Sequence, residues 1–151
     1  MTIVKHWKSS NSRQWRKLSY LNRHSPYFVT IAIAALLGTF LDFYYVSNGY
    51  YEFPIRPFPE VFSVNIGFTF FILPFMTWLY LLLMKKINKI ERLIVILMIC
   101  FLVPLGEMIS EKFGFFSHAN TWNHSSSFIG YFLYLIIIWK LFQSLNKSRD
   151  L

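Results

Sequence analysis

At 151 residues the chain is bounded to a single domain. Its 15% charged residues, against 55% hydrophobic and 21% aromatic, exclude an ordinary water-soluble domain, which carries about 25% charge. A formal net charge of +8 would suit nucleic acid, but the Lys and Arg residues lie between apolar runs and no base-stacking motif interleaves them, so the expected partner is the lipid bilayer and not nucleic acid.

Residues 1–26 hold Lys5, Lys8, Arg13, Arg16, Lys17 and Arg23 with no acid, interleaved with Trp7, Trp15, Leu18 and Leu21. Two readings stay open: a short helix lying on the headgroups, or a solvated basic tail that orients the first span. The segment is long for a signal-peptide n-region and no A-x-A site follows the apolar run, so it is expected to be retained.

The rest predicts an all-α membrane protein with four transmembrane helices at about 27–47, 61–83, 93–109 and 127–142, forming one domain over 27–146 with a short tail at 147–151. Asn48-Gly49 ends the first span as a turn. Pro54, Pro57 and Pro59 favour an extended connection, and Pro59-Glu60 suits the first turn of the second span. Pro74 is expected to kink that span. A basic connection, Met84–Arg92, leads to span three, and a polar aromatic loop, Ser110–Ser126, leads to span four. Cys100 reads as a small buried hydrophobe.

Thirteen of the fifteen Lys and Arg residues fall on the side of the termini and of the 84–92 connection; only Arg56 and Lys112 fall on the other. The positive-inside rule then puts both termini in the cytoplasm. Five of the seven acids, Asp42, Glu52, Glu60, Glu107 and Glu111, take the outer side.

Asp42 is sixteenth in its span and Glu107 fifteenth in its own, so each lies about 8 Å below the outer edge of a 30 Å core. Asn65 and Tyr131 are at a similar depth. A carboxylate in hydrocarbon is costly and belongs in a bundle interior or in water. This suggests an outer-leaflet pocket lined by Asp42, Asn65, Glu107 and Glu111. The alternatives are acids wetted at the interface, or Asp42 hydrogen-bonded to Asn65 or Tyr131 as structural glue. Arg56 is expected to pair with Glu60 or Asp42. Trp122 and the tyrosines at 44, 45, 50 and 51 read as the outer aromatic belt, and Ala34, Ala35 and Gly38 as a small packing face. His118 and His124 are weak candidates for a metal, because they stand six apart in a loop without HExxH or HxxxH. No catalytic triad, phosphate loop or dinucleotide fingerprint is present, so no cofactor is assigned.

Gly38-Thr39-x-x-Asp42, Tyr51-x-Phe53-Pro54-x-Arg56-Pro57-x-Pro59-Glu60-x-Phe62-Ser63-x-Asn65, Phe68-Thr69 and Leu73-Pro74, followed by Glu107, Gly114, Trp122 and Ser126, resemble a family of small integral membrane proteins from spore-forming Firmicutes. The resemblance spans residues 38–134 and is most specific at Arg-Pro-x-Pro-Glu. It implies a bacterial plasma membrane and four spans, but no reaction. A fainter similarity, to small lycopene-cyclase-type membrane domains, stops at Pro59-Glu60, since no paired Glu follows.

The leading expectation is therefore a non-enzymatic four-helix membrane protein, alone or as a homo-oligomer. It would bind a membrane partner or a lipid headgroup through Asp42, Arg56, Glu60, Asn65, Glu107, Glu111 and Trp122. One alternative is a small enzyme acting on a lipid-borne substrate with Asp42 and Glu107 as acid and base. The other is a transporter or channel subunit.

Overall fold

The computed structural model describes residues 3–120, 122 and 124–147, with side chains from Ser25 onward apart from His124. The side chains of the basic N-terminal segment and the tail at 148–151 lie outside the described residues. The elements run α1 (Ile3–Ser47), β1 (Tyr51–Glu52), a π-turn (Phe68–Ile72), α2 (Leu73–Lys86), α3 (Lys89–Lys112), β2 (Ser117–His118) and α4 (His124–Lys147). Among the described residues four helical segments are long and apolar enough to cross a membrane: Ser25–Ser47, Phe68–Lys86, Lys89–Lys112 and Ser125–Lys147. Four such helices make the chain an all-α, multi-pass integral membrane protein.

The helices are ordered so that α1 packs on α2 and α4, while α3 packs on α4. Thus α4 stands between the two co-directional helices α1 and α3. The core lies toward the end where α2 turns into α3. There Tyr80, Leu81 and Met84 of α2, Ile96 and Cys100 of α3, and Leu135, Ile138 and Phe142 of α4 are buried together. Two phenols tie this core across helices. Tyr80 donates to the Leu135 carbonyl at 2.9 Å and Tyr134 to the Ala34 carbonyl at 3.0 Å. The small face of α1 is a packing face: Ala34 is fully buried, and a Cβ added at Gly38 would stand 2.5 Å from Leu73 Cδ2.

Local chemistry sets the helix ends. Asn88 accepts from the Ile90 and Glu91 amides, and Glu91 accepts from the Asn88 amide, a reciprocal capping box that starts α3. At the other end of the bundle, α1 and α3 terminate in the same way. Gly49 at φ +69 and Gly114 at φ +74 take the left-handed conformation. Tyr50 N–H then reaches the Tyr45 carbonyl and Phe115 N–H the Ser110 carbonyl, both at 3.0 Å, the 6→1 bond of a Schellman motif. Two-residue strands follow each stop and pair antiparallel, Tyr51 with His118 and Glu52 with Ser117. This is the loop end of the bundle.

The second membrane-length segment begins at Phe68, later than the predicted start near residue 61. Residues 53–65 are instead an irregular loop, gathered by Arg56. Its guanidinium donates to the carbonyls of Phe53 and Phe62 at 2.6 Å each and of Pro59 at 3.2 Å. Glu60 is therefore not in a helical first turn. Asn65 is not inside a span either: its side-chain oxygen accepts from the Phe68 amide at 3.1 Å, and its carbonyl accepts from the Thr69 amide at 3.1 Å. It satisfies donors that a helix start leaves open. Pro74 lies within the membrane-length segment Phe68–Lys86, in the first turn of α2 and directly after the π-turn. Having no N–H, it cannot continue the α pattern, and the turn before it widens so that Leu73 N–H bonds the Phe68 carbonyl five residues back.

Candidate functional site

The matching stops of α1 and α3 fix the depth of two acids. Asp42 stands five residues before the end of α1 at Ser47, and Glu107 five before the end of α3 at Lys112. At 1.5 Å per residue each lies about 8 Å from its helix end. Both are partly buried, and both are engaged by a hydroxyl. Tyr51, the first residue of β1, donates to Asp42 Oδ1 at 2.7 Å. Ser127 of α4 donates to Glu107 Oε2 at 2.8 Å.

Tyr131 stands one turn along α4 from Ser127. It lies within electrostatic reach of both Glu107 and Asp42, and Tyr51 in turn lies within reach of Tyr131. Glu107 of α3 is thus bonded to α4 through Ser127, and Asp42 of α1 stands within electrostatic reach of the same helix one turn further on. Burial, and then the Asp42 charge, push the Tyr51 phenol above the ordinary tyrosine range, so it acts as the proton donor in its bond to Asp42.

Above this layer sits an aromatic cluster. The Trp122 ring lies 5.1 Å from Tyr45, 5.5 Å from Tyr51 and 5.9 Å from Tyr50, centroid to centroid. Tyr51 also packs on Phe116 at 5.1 Å and Phe53 at 5.5 Å. Tyr45, Tyr50, Tyr51 and Trp122 thus pack on one another across the loops. The Trp122 indole N–H is buried and finds no acceptor among the described residues.

The remaining expected site residues go elsewhere. Glu111 contacts His118 Nδ1, and the His118 ring stacks on Phe116, which fastens β2 to the end of α3. Glu60 is exposed. Among the described residues neither the Arg56–Glu60 nor the Arg56–Asp42 pair forms; the three guanidinium bonds go to main-chain carbonyls. Nor does Asp42 bond to Asn65, whose side chain is occupied at the start of the second span. No group of three His, Cys, Asp or Glu side chains that could hold a metal comes together among the described residues, and the His124 side chain lies outside them. An open apolar cavity of about 530 Å³ is walled by Pro57, Phe58, Ile66, Gly67, Phe70 and Phe71, and none of the acids lines it.

Counting residues along the helices is enough to place Asp42 and Glu107 at one depth, but it does not bring Ser127 to Glu107 or the Tyr51 hydroxyl to Asp42. The signal for Ser127 is its place one turn before Tyr131, which puts both on one face of α4. The signal for Tyr51 is its position just past Gly49, where the chain folds back over the end of α1.

No family model, curated protein or solved structure matches this chain.

Proposed function

We propose that the chain is a non-enzymatic protein of the bacterial plasma membrane, with both termini cytoplasmic and the loop end outward, that binds an ammonium-bearing lipid headgroup at the Asp42–Tyr131–Glu107 layer. The orientation rests on the distribution of Lys and Arg, and the membrane on the resemblance carried by the Arg56-Pro57-x-Pro59-Glu60 segment. The observation that carries the binding reading is that two carboxylates from separate helices stand at matching depth, five residues before the ends of α1 and α3, each held by a hydroxyl, with Tyr131 within electrostatic reach of both. Their charge is not neutralised locally by Arg56, whose donors are spent on carbonyls. A carboxylate pair in a membrane interface attracts a cation, and the aromatic cluster above it offers ring faces to an ammonium group.

Native mass spectrometry of the purified chain tests the reading. Phosphatidylethanolamine should be retained in preference to phosphatidylglycerol, and the Asp42→Asn/Glu107→Gln double variant should lose that preference. Equal retention of both lipids by the unsubstituted chain, or a preference unchanged in the double variant, would rule it out.

A further inference from the structure

The cavity at the loop end is built from two sources. Phe70 and Phe71 belong to the membrane-length segment Phe68–Lys86 and are 65% and 75% exposed. Exposed phenylalanines on such a segment face acyl chains. The opposite wall is Pro57 and Phe58, from the loop. Phe58 is 68% exposed and has φ +50, a left-handed backbone that bulky residues rarely adopt.

That conformation is held in place. The Val61 and Phe62 amides both donate to the Phe58 carbonyl at 3.0 Å. Arg56 fastens carbonyls on either side of it, at Phe53, Pro59 and Phe62. Gly67 lets the two walls approach: a Cβ there would stand 3.3 Å from Pro57 Cγ and from Asn65 Oδ1. The loop thus maintains an unfavourable backbone geometry while leaving an aromatic ring uncovered. Strain kept at an exposed position points to use rather than to packing. Ile55 and Val61 of the same loop are also largely exposed. Such a surface is unfavourable in water and suited to lipid.

We propose that this groove seats an acyl chain of a membrane lipid, with the 53–65 loop lying as an apolar wedge in the leaflet at the loop end. The occupant follows from continuity: one wall is already the lipid-facing surface of the second span, and the side chains lining the groove are apolar throughout. The proposal needs only the membrane assignment and stands apart from the headgroup site at Asp42 and Glu107.

The test uses the full chain in phosphatidylcholine vesicles containing phosphatidylcholine with a diazirine on one acyl chain. After irradiation, adducts are mapped by peptide mass spectrometry. Adducts should be several-fold enriched at Phe58, Ile66, Phe70 and Phe71 over the exposed face of α3 at Met98, Phe101 and Leu105. The Phe58→Ser/Phe71→Ser variant should lose the enrichment and keep the α3 labelling, which reports a folded and inserted protein. Even labelling of both surfaces would overturn the proposal. So would cross-links from the groove to a second copy of the chain in place of lipid adducts, or enrichment that survives in the double variant.

Discussion

Replacing Arg56 by Ala is expected to destabilise the protein by about 2–3 kcal/mol and to open the 53–65 loop to protease. One guanidinium holds three carbonyls, at Phe53, Pro59 and Phe62, with two of the bonds at 2.6 Å. Charge-assisted bonds of this kind are each worth about 1.5–3 kcal/mol when intact. The full sum is not lost, since two of the three are exposed enough for water to replace the donor. Arg56→Lys distinguishes geometry from charge. An ammonium group keeps the charge but lacks the planar fork, so it should recover only a minor part of the loss. Thermal unfolding in detergent and limited proteolysis read the two effects. A Lys variant as stable as the unsubstituted chain would show that charge alone matters there.

At Asp42, Asn and Ala should have different consequences. Asn keeps an acceptor for the Tyr51 hydroxyl, which now bonds Asp42 at 2.7 Å, and removes the charge. Asp42→Asn should therefore fold with nearly unchanged stability while weakening phosphatidylethanolamine binding about tenfold, the equivalent of roughly 1.4 kcal/mol. Asp42→Ala removes the acceptor as well. The Tyr51 phenol, packed between Phe53, Phe116 and Trp122, would be left without its partner. That should cost a further 1–3 kcal/mol, roughly the desolvation penalty of one stranded hydroxyl. Thermal stability and lipid retention, measured on both variants, separate the two losses. Equal lipid binding by Asp42→Asn and the unsubstituted chain would show that the charge has no part in it.

The four spans were legible because hydropathy over about 20 residues reports the solvent directly. Their boundaries were less so. Val61 to Ile66 looks apolar enough to extend the second span, yet an apolar stretch reads the same whether it crosses the bilayer or wedges into its edge. Arg56 decides the matter by binding main-chain carbonyls that a helix would have consumed internally, and no local pattern announces that. Asp42 and Glu107 could be placed at one depth because helix rise is fixed. Their partners could not. Tyr51 reaches Asp42 through a two-residue strand too short to show a period of two, and Ser127 reaches Glu107 from a different helix. Asn65 was mistaken for an intramembrane amide because an N-terminal cap and a polar residue inside a span differ only in where the helix begins.

A shared site for Asp42 and Glu107 is tested most directly by a double-mutant cycle on phosphatidylethanolamine affinity, using Asp42→Asn, Glu107→Gln and the two together. Carboxylates serving one site should couple by about 0.5–3 kcal/mol, so that the double variant departs from the sum of the singles. Strictly additive losses would mean two independent acids, and would contradict a common site at Tyr131.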